Sequence, residues 1–182
     1  MKFLIIFALP AIIIGFFLFQ GLPMAQVDQK RPAIKALSDE EIQGLLNGEG
    51  MGVAKIAELN HYPGPRHVLD LKDQLNLSEK QRVETQKLFD TMHAQAVRIG
   101  KLIIDKEQEL DNLFAKKESN EKKIKTLVQE IARLQGELRF IHLQAHFRMK
   151  PVLSPEHISQ YDLLRGYGPH TGETPRHHHQ NP

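Results

Sequence analysis

The sequence predicts an all-α protein built on one long antiparallel helical hairpin, with short flanking helices on its N- and C-terminal sides. Three observations predict this class. Two long segments repeat apolar residues at spacings of three and four, which is typical of helices that pack along one seam. Several segments begin with the residue pairs that cap a helix. No segment alternates polar and apolar residues long enough to predict a strand.

Residues 1–25 have the layout of a secretory signal peptide. An apolar run from Phe3 to Phe19 follows a lysine, and small residues lead up to Ala25. The run is near the lower length limit for crossing a bilayer, and it contains a proline and a glycine. We therefore expect a cleaved signal peptide, with an uncleaved N-terminal anchor as the alternative. Either one predicts that the rest of the chain is exported, in contact with the membrane only if the segment is uncleaved.

The composition argues against several classes of function. The formal charge is +2 and no run of basic residues offers a track for nucleic acid. There is no Ser-His-Asp order, nucleophile elbow or Gly-rich phosphate loop, so we expect no enzymatic activity. The chain has no cysteine, so any metal site must use histidine, carboxylate or methionine ligands.

A polar lead with one short helix occupies residues 26–49. Ser38 and Glu41 form a capping box at the start of that helix, and "LLNGEG" marks its end. The helical domain follows over residues 50–165. It opens with a short amphipathic segment, "MGVAKIAELN", and with the breaker "HYPGP". Pro65 then suits the first turn of the next short helix.

Two long helices form the predicted hairpin. Ser78 and Gln81 make a second capping box at the start of the first helix, and "ESN" separates it from the second. The predicted seam residues of the first helix are Leu88, Met92, Ala96, Ile99, Ile103, Leu110 and Phe114. Those of the second are Ile124, Leu127, Ile131, Leu134, Leu138, Ile141 and Ala145. Packing of the hairpin on itself accounts for all of them.

The C-terminal part of the chain predicts one more helix and a tail. Pro151 ends the second long helix, and Ser154 with Pro155 begins the next one. Residues 166–182 are rich in glycine, proline and histidine, and we expect them to be disordered. The tail contains His177, His178 and His179, for which weak metal capture and simple solvation are equally open interpretations.

Histidines at the open end of the hairpin form a candidate metal site. His142 and His146 are one helical turn apart, with Cβ atoms about 6 Å apart, so they can bind one metal ion. If the hairpin turns near Ser119, His93 is level with the midpoint of that pair. Two histidines that merely pack along the helix are the alternative. The segment that enters this end adds three further candidates, Glu58, His61 and His67.

Two short motifs resemble the LTxxQ motif of the Spy/CpxP superfamily of periplasmic proteins. They are "LNLSEKQ", with Ser78 in the threonine place, and "VLSPEH", with His157 where glutamine is usual. The superfamily includes ATP-independent chaperones, inhibitors of envelope-stress kinases, ZraP and the CnrX-type periplasmic heavy-metal sensors. The resemblance covers about residues 50–165. It implies a helical hairpin that forms a homodimer.

The resemblance also implies two functions. The first is a metal-binding stress protein, a heavy-metal sensor or scavenger for zinc, copper, nickel or cobalt, with a membrane-bound sensor protein as a partner. CnrX-type sensors are similar in using an HxxxH pair on the last long helix, which His142 and His146 match; an upstream HxxxH is missing here. The alternative is a Spy-like holdase chaperone that binds unfolded periplasmic clients. Its candidate client-binding residues are Arg66, Arg98, Lys101, Arg139 and Arg148.

Overall fold

The structure is a computed structural model that describes residues 34–168. The predicted signal peptide or anchor, the first residues of the polar lead and the tail from residue 169 lie outside the described residues, as do the histidines of the tail. Every regular element between residues 34 and 168 is helical, and that part of the chain contains no strand. The all-α prediction is therefore confirmed.

Residues 34–168 form six α-helices. A long pair, α4 and α5, forms the predicted antiparallel hairpin, and three short helices precede it. A 3₁₀ turn at Lys150–Val152 connects α5 to the last helix. The bounds are α1 Asp39–Leu46, α2 Lys55–Glu58, α3 Pro65–Asp70, α4 Glu79–Ala115, α5 Glu121–Met149 and α6 Pro155–Leu164.

The hairpin seam is the main hydrophobic core. Most of the predicted seam residues are buried, and on α5 the buried set follows the predicted spacing from Leu127 to Ala145. Phe114 is an exception, because it is exposed while the neighbouring Leu113 is buried. A straight α-helix drifts by about 20° per heptad against a strict seven-residue repeat. Over the 37 residues of α4 this drift moves the buried stripe away from the predicted position.

The capping boxes predicted at Ser38 and Ser78 are present. Ser154 also caps its helix, and there the His157 side chain takes the place of glutamine: its Nδ1 accepts from the Ser154 backbone N–H at 3.3 Å. The hydroxyl of Ser154 in turn accepts from the His157 N–H. The departure from the LTxxQ pattern therefore leaves the cap intact. A cap of this kind contributes about 1 kcal/mol to helix stability.

The short helices pack around the open end of the hairpin. Helix α1 lies against α4, where a Cβ on Gly100 would overlap the carbonyl of Leu45. Helices α2 and α3 pack on α5, and α3 also contacts α4. A second hydrophobic cluster closes this end and comprises Val68, Leu75, Leu77, Met149, Leu153 and Tyr161. Among residues 34–168, no helix has the length and apolar character needed to cross a membrane.

Candidate metal centre

A cavity of about 450 Å³ lies between the open end of the hairpin and the segment that enters it. Helices α4 and α5 form one wall, and the loop after α1 together with α2 and α3 forms the other. Five of the six metal ligands proposed for the folded domain line this cavity: Glu58, His67, His93, His142 and His146. Residues far apart in the sequence thus meet at one place.

His142 is a buried imidazole with an unused nitrogen. Its residue is only 4% exposed, and Nε2 has no hydrogen-bond partner within residues 34–168. The loop after α1 packs closely on the ring, since a Cβ on Gly50 would lie 3.4 Å from Nδ1. Burial, and to a lesser degree the nearby His146, lowers the pKa of His142 to about 4. The ring is therefore neutral at pH 7, and a neutral imidazole is the form that binds metals.

His146 is held in one tautomer by the backbone. Its Nδ1 lies 2.8 Å from the carbonyl oxygen of Tyr62, and since a carbonyl only accepts, Nδ1 carries the proton. The Nε2 lone pair is then left for another partner. Burial lowers the pKa of His146 despite the opposing effects of the Tyr62 carbonyl and Glu58. A backbone oxygen that fixes the ring in this way is common around metal-binding histidines.

Glu58 is the buried carboxylate of the cavity, 6% exposed. Its Oε1 accepts from the Tyr161 hydroxyl at 2.7 Å, and its Oε2 accepts from the Tyr167 hydroxyl at 2.8 Å. Burial opposes ionisation of Glu58, but the two hydroxyls, His67 and Arg165 outweigh it, so its pKa lies below the usual range. A negative charge at pH 7 therefore faces the cavity.

Gly64 allows Glu58 and His146 to approach each other. A Cβ on Gly64 would lie 2.7 Å from His146 Cε1, 3.0 Å from His146 Nε2 and 3.2 Å from Glu58 Oε1. Any larger residue at this position would push one of the two groups aside. Pro63 and Pro65, both buried, fix the backbone on either side. The "YPGP" segment is therefore a support for the site as well as a helix breaker.

His67 and His93 complete the set at the rim of the cavity. Nε2 of His67 lies 3.8 Å from Glu58 Oε1, and the side chain is half-exposed. His93 stacks on Phe89 with ring centroids 5.4 Å apart, and its Nε2 lies 3.0 Å from the Asn47 carbonyl. Because that oxygen only accepts hydrogen bonds, Nε2 of His93 carries the proton and Nδ1 has a free lone pair.

His61 is not brought into this cavity. It has a positive φ of 64° on the loop after α2, and its largely exposed ring contacts Asp162 on α6, with Nδ1 2.6 Å from Oδ2. The turn at this residue and the prolines that follow carry the ring outward. Its six-residue separation from His67 gave no helical spacing from which its direction could be predicted.

The five basic residues proposed for client binding are exposed. Arg66 pairs with Asp70 at 3.6 Å and Arg98 with Glu137 at 3.4 Å. Arg148 differs, since it borders an apolar groove between α2 and α5. Ile56, Phe140 and Phe147 line this groove and are more than half exposed.

Sequence reasoning did not find the groups that hold Glu58. The sequence pattern predicts only that Tyr161 lies in the last helix and Tyr167 in the tail, yet both hydroxyls contact the carboxylate. Arg165 also reaches it, with Nη2 3.5 Å from Oε2. The sequence feature that indicates this contact is the short "LRGY" stretch at the end of α6. Gly166 has the φ of 72° that turns the chain back toward Glu58.

The donors are of the right chemical kind for a divalent metal, although they are not yet arranged around one point. Within residues 34–168, no group of three histidine or carboxylate side chains already has the geometry to hold a metal ion. The unpaired Nε2 of His142, the free Nε2 of His146 and the ionised Glu58 are nonetheless the imidazole and carboxylate ligands that zinc, nickel, cobalt and copper(II) accept. Side-chain rotation at the half-exposed His67 and His93 is needed to complete a site.

Comparison with known proteins gave one match. The model of a family described as heavy-metal resistance matches residues 56–160, more than half of the 182-residue chain. The matched range runs from α2 into α6 and contains all five cavity residues proposed as ligands. Searches of curated proteins and of solved structures found no match.

Proposed function

The chain belongs to the heavy-metal resistance family, and we propose that it binds a divalent metal ion in the cavity at the open end of its hairpin. As a sensor or scavenger, it would contribute to metal resistance in the cell envelope. One observation carries the proposal: two buried, neutral histidines with free nitrogens share a cavity with a buried, ionised carboxylate. A catalytic role is not part of the proposal.

The chain's own groups prepare the ligands. The Tyr62 carbonyl directs the lone pair of His146 away from the backbone, and Tyr161 and Tyr167 hold Glu58 in its ionised form. Burial keeps both imidazoles unprotonated, so protons do not compete for them near pH 7. A bound divalent cation would accept these lone pairs and add positive charge beside the carboxylate.

Isothermal titration calorimetry of the purified chain with zinc, copper, nickel and cobalt tests the proposal. We expect the wild type to bind at least one of these metals. His142→Leu combined with His146→Asn should abolish binding at the cavity, while the asparagine can still donate to the Tyr62 carbonyl. Loss of two ligands should weaken binding by a factor of about 100 or more.

The tail supplies the matched control, because it contains four further histidines, three of them consecutive. Replacement of His177, His178 and His179 by alanine removes weak binding outside the cavity, and the cavity variants are compared in that background. If the double variant there keeps the affinity of its parent for every metal, the cavity is not a metal site.

The apolar groove between α2 and α5 favours a second function, that of an ATP-independent holdase. The exposed side chains of Phe140 and Phe147, 60% and 68% exposed, stand beside Arg148, and such a mixed surface suits unfolded chains. Suppression of aggregation of a model client, measured without metal or ATP, tests it. Phe140→Ser with Phe147→Ser should abolish suppression, whereas Val128→Ser, an exposed apolar change elsewhere on α5, should not. A wild type without suppression excludes this function.

We also propose a compartment and partners for the protein. The signal-like N-terminal segment supports export, and the resemblance to the Spy/CpxP superfamily supports the periplasm and a homodimer. As a sensor it would act on a membrane-bound signalling protein. Fractionation of cells that express the full chain, with and without the first 25 residues, tests the location.

A further inference from the structure

The two oxygens of Glu58 face different parts of the protein. Oε1 is turned to the histidine side of the cavity, 3.8 Å from His67 Nε2. Oε2 is turned to the segment after α6, where it contacts Tyr167 and Arg165. One buried carboxylate therefore connects the candidate metal centre with residues 165–168.

Arg165 is a cation held at the wall of the same cavity. Its Nη2 lies 3.5 Å from Glu58 Oε2 and 3.4 Å from the Tyr167 hydroxyl, and its guanidinium covers the Tyr167 ring at 5.7 Å. Its buried Nε has no hydrogen-bond partner among the described residues. Within residues 34–168, Glu58 is the carboxylate that forms an ion pair with it.

A single turn holds this segment in place. Gly166 has a φ of 72°, and the Tyr167 N–H donates to the Asp162 carbonyl at 2.7 Å. Beyond this turn, Arg165 and Tyr167 contact Glu58, and the Tyr167 ring also packs against the second hydrophobic cluster. A change in the interactions of Glu58 therefore alters part of what holds residues 165–168 in position.

We propose that Arg165 is the counter-ion of Glu58 in the metal-free protein and that a divalent metal competes with it, so that residues 165–168 respond to metal binding. The inference rests on the proposed metal-binding function. Glu58 carries one negative charge, which balances Arg165 alone. A divalent cation beside Oε1 leaves an excess of positive charge next to the guanidinium, and like charges in a site of low dielectric repel strongly. Metal binding therefore weakens the contact between Arg165 and Glu58 and makes residues 165–168 more mobile. A conformational change of this kind is what a metal sensor needs to pass on its signal.

Calorimetric titration with zinc tests the competition between Arg165 and the metal. The full chain and its Arg165→Gln variant are compared, both with His177, His178 and His179 replaced by alanine. Removal of the competing cation should raise zinc affinity about tenfold. Arg66→Gln is the matched control, because Arg66 lines the same cavity and carries the same charge but pairs with Asp70 rather than Glu58. It should change the affinity by less than about threefold.

Hydrogen exchange of the parent protein, with and without zinc, tests the response independently of any change at Arg165. Zinc should accelerate exchange of the Gly166 and Tyr167 amides. An Arg165→Gln variant that binds zinc no more tightly, or exchange that stays constant or slows, overturns the inference. If zinc binding depends on His142 and either of these results is found, this inference alone is overturned. If the protein binds none of zinc, copper, nickel and cobalt, the metal-binding function is overturned as well.

Discussion

Replacement of His142 by leucine should make the metal-free protein more stable while it destroys the candidate metal centre. The buried Nε2 of His142 has no partner within the described residues, and an unpaired buried polar atom costs about 1–3 kcal/mol. Leucine has a similar volume and no polar atom, so some of this cost is recovered after repacking. At pH 7 we expect His142→Leu to raise the free energy of unfolding by about 1 kcal/mol.

The difference should grow as the pH falls. The pKa of His142 is lowered from 6.5 to about 4 in the folded protein. In the unfolded chain the imidazole takes up a proton below pH 6.5, whereas in the folded protein it does so only near pH 4, so protons favour unfolding across this window. Between pH 7 and pH 5 this linkage removes about 2 kcal/mol from the wild type. The His142→Leu variant has no imidazole at this position, so it does not lose this stability between pH 7 and pH 5.

Urea denaturation at pH 7 and pH 5, with a chelator to keep both proteins metal-free, measures these quantities. The advantage of His142→Leu should rise from about 1 kcal/mol at pH 7 to about 3 kcal/mol at pH 5. His146 is present in both proteins, so most of its own titration cancels in the comparison, apart from its smaller electrostatic effect on His142. An advantage that is the same at both pH values would show that His142 is not a buried neutral imidazole. A less stable variant at pH 7 would show that Nε2 has a partner.

Three further substitutions test the surroundings of the site. Gly64→Ala should weaken metal binding at least about tenfold in calorimetry, because its Cβ would lie 2.7 Å from His146 Cε1. Gly136→Ala, which has open space around its Cβ within α5, should leave binding unchanged and raise the free energy of unfolding by about 0.5–1 kcal/mol in urea. Tyr161→Phe removes the hydroxyl that donates to Glu58 Oε1, so it should lower the free energy of unfolding by about 1–3 kcal/mol. The same change should raise the pKa of Glu58, measured by NMR titration. An unchanged pKa would contradict the role of the hydroxyl.

The fold could be predicted from the sequence because its determinants are local. The spacing of apolar residues and the serine caps act within one or two turns of a helix, and both are read directly from the chain. The turn between α4 and α5 spans residues 116–120, near the expected Ser119, so His93 does lie level with the α5 histidines. Phe114 shows the limit, since small deviations in helix twist accumulate over many turns.

The site could be predicted only in part, because its remaining determinants are not local. The approach of Glu58 to His146 depends on the absence of a side chain at Gly64. The charge of Glu58 depends on Tyr161 and Tyr167, more than a hundred residues away, and Tyr167 reaches it only through the turn at Gly166. Contacts between segments so distant in sequence leave no periodic pattern in the chain.

The arrangement of the cavity argues that these histidines do more than pack the hairpin. A buried histidine kept for packing would have a partner for its buried polar atoms, whereas Nε2 of His142 has none within residues 34–168. Leucine at position 142 would continue the apolar surface of α5 and avoid an unpaired buried nitrogen. The carboxylate beside them is likewise kept ionised by distant hydroxyls although burial opposes its charge. An unpaired buried nitrogen, kept at a cost to the stability of the fold beside a carboxylate held in its charged form, is what a divalent cation needs, and binding of a cation would restore the stability that the nitrogen costs.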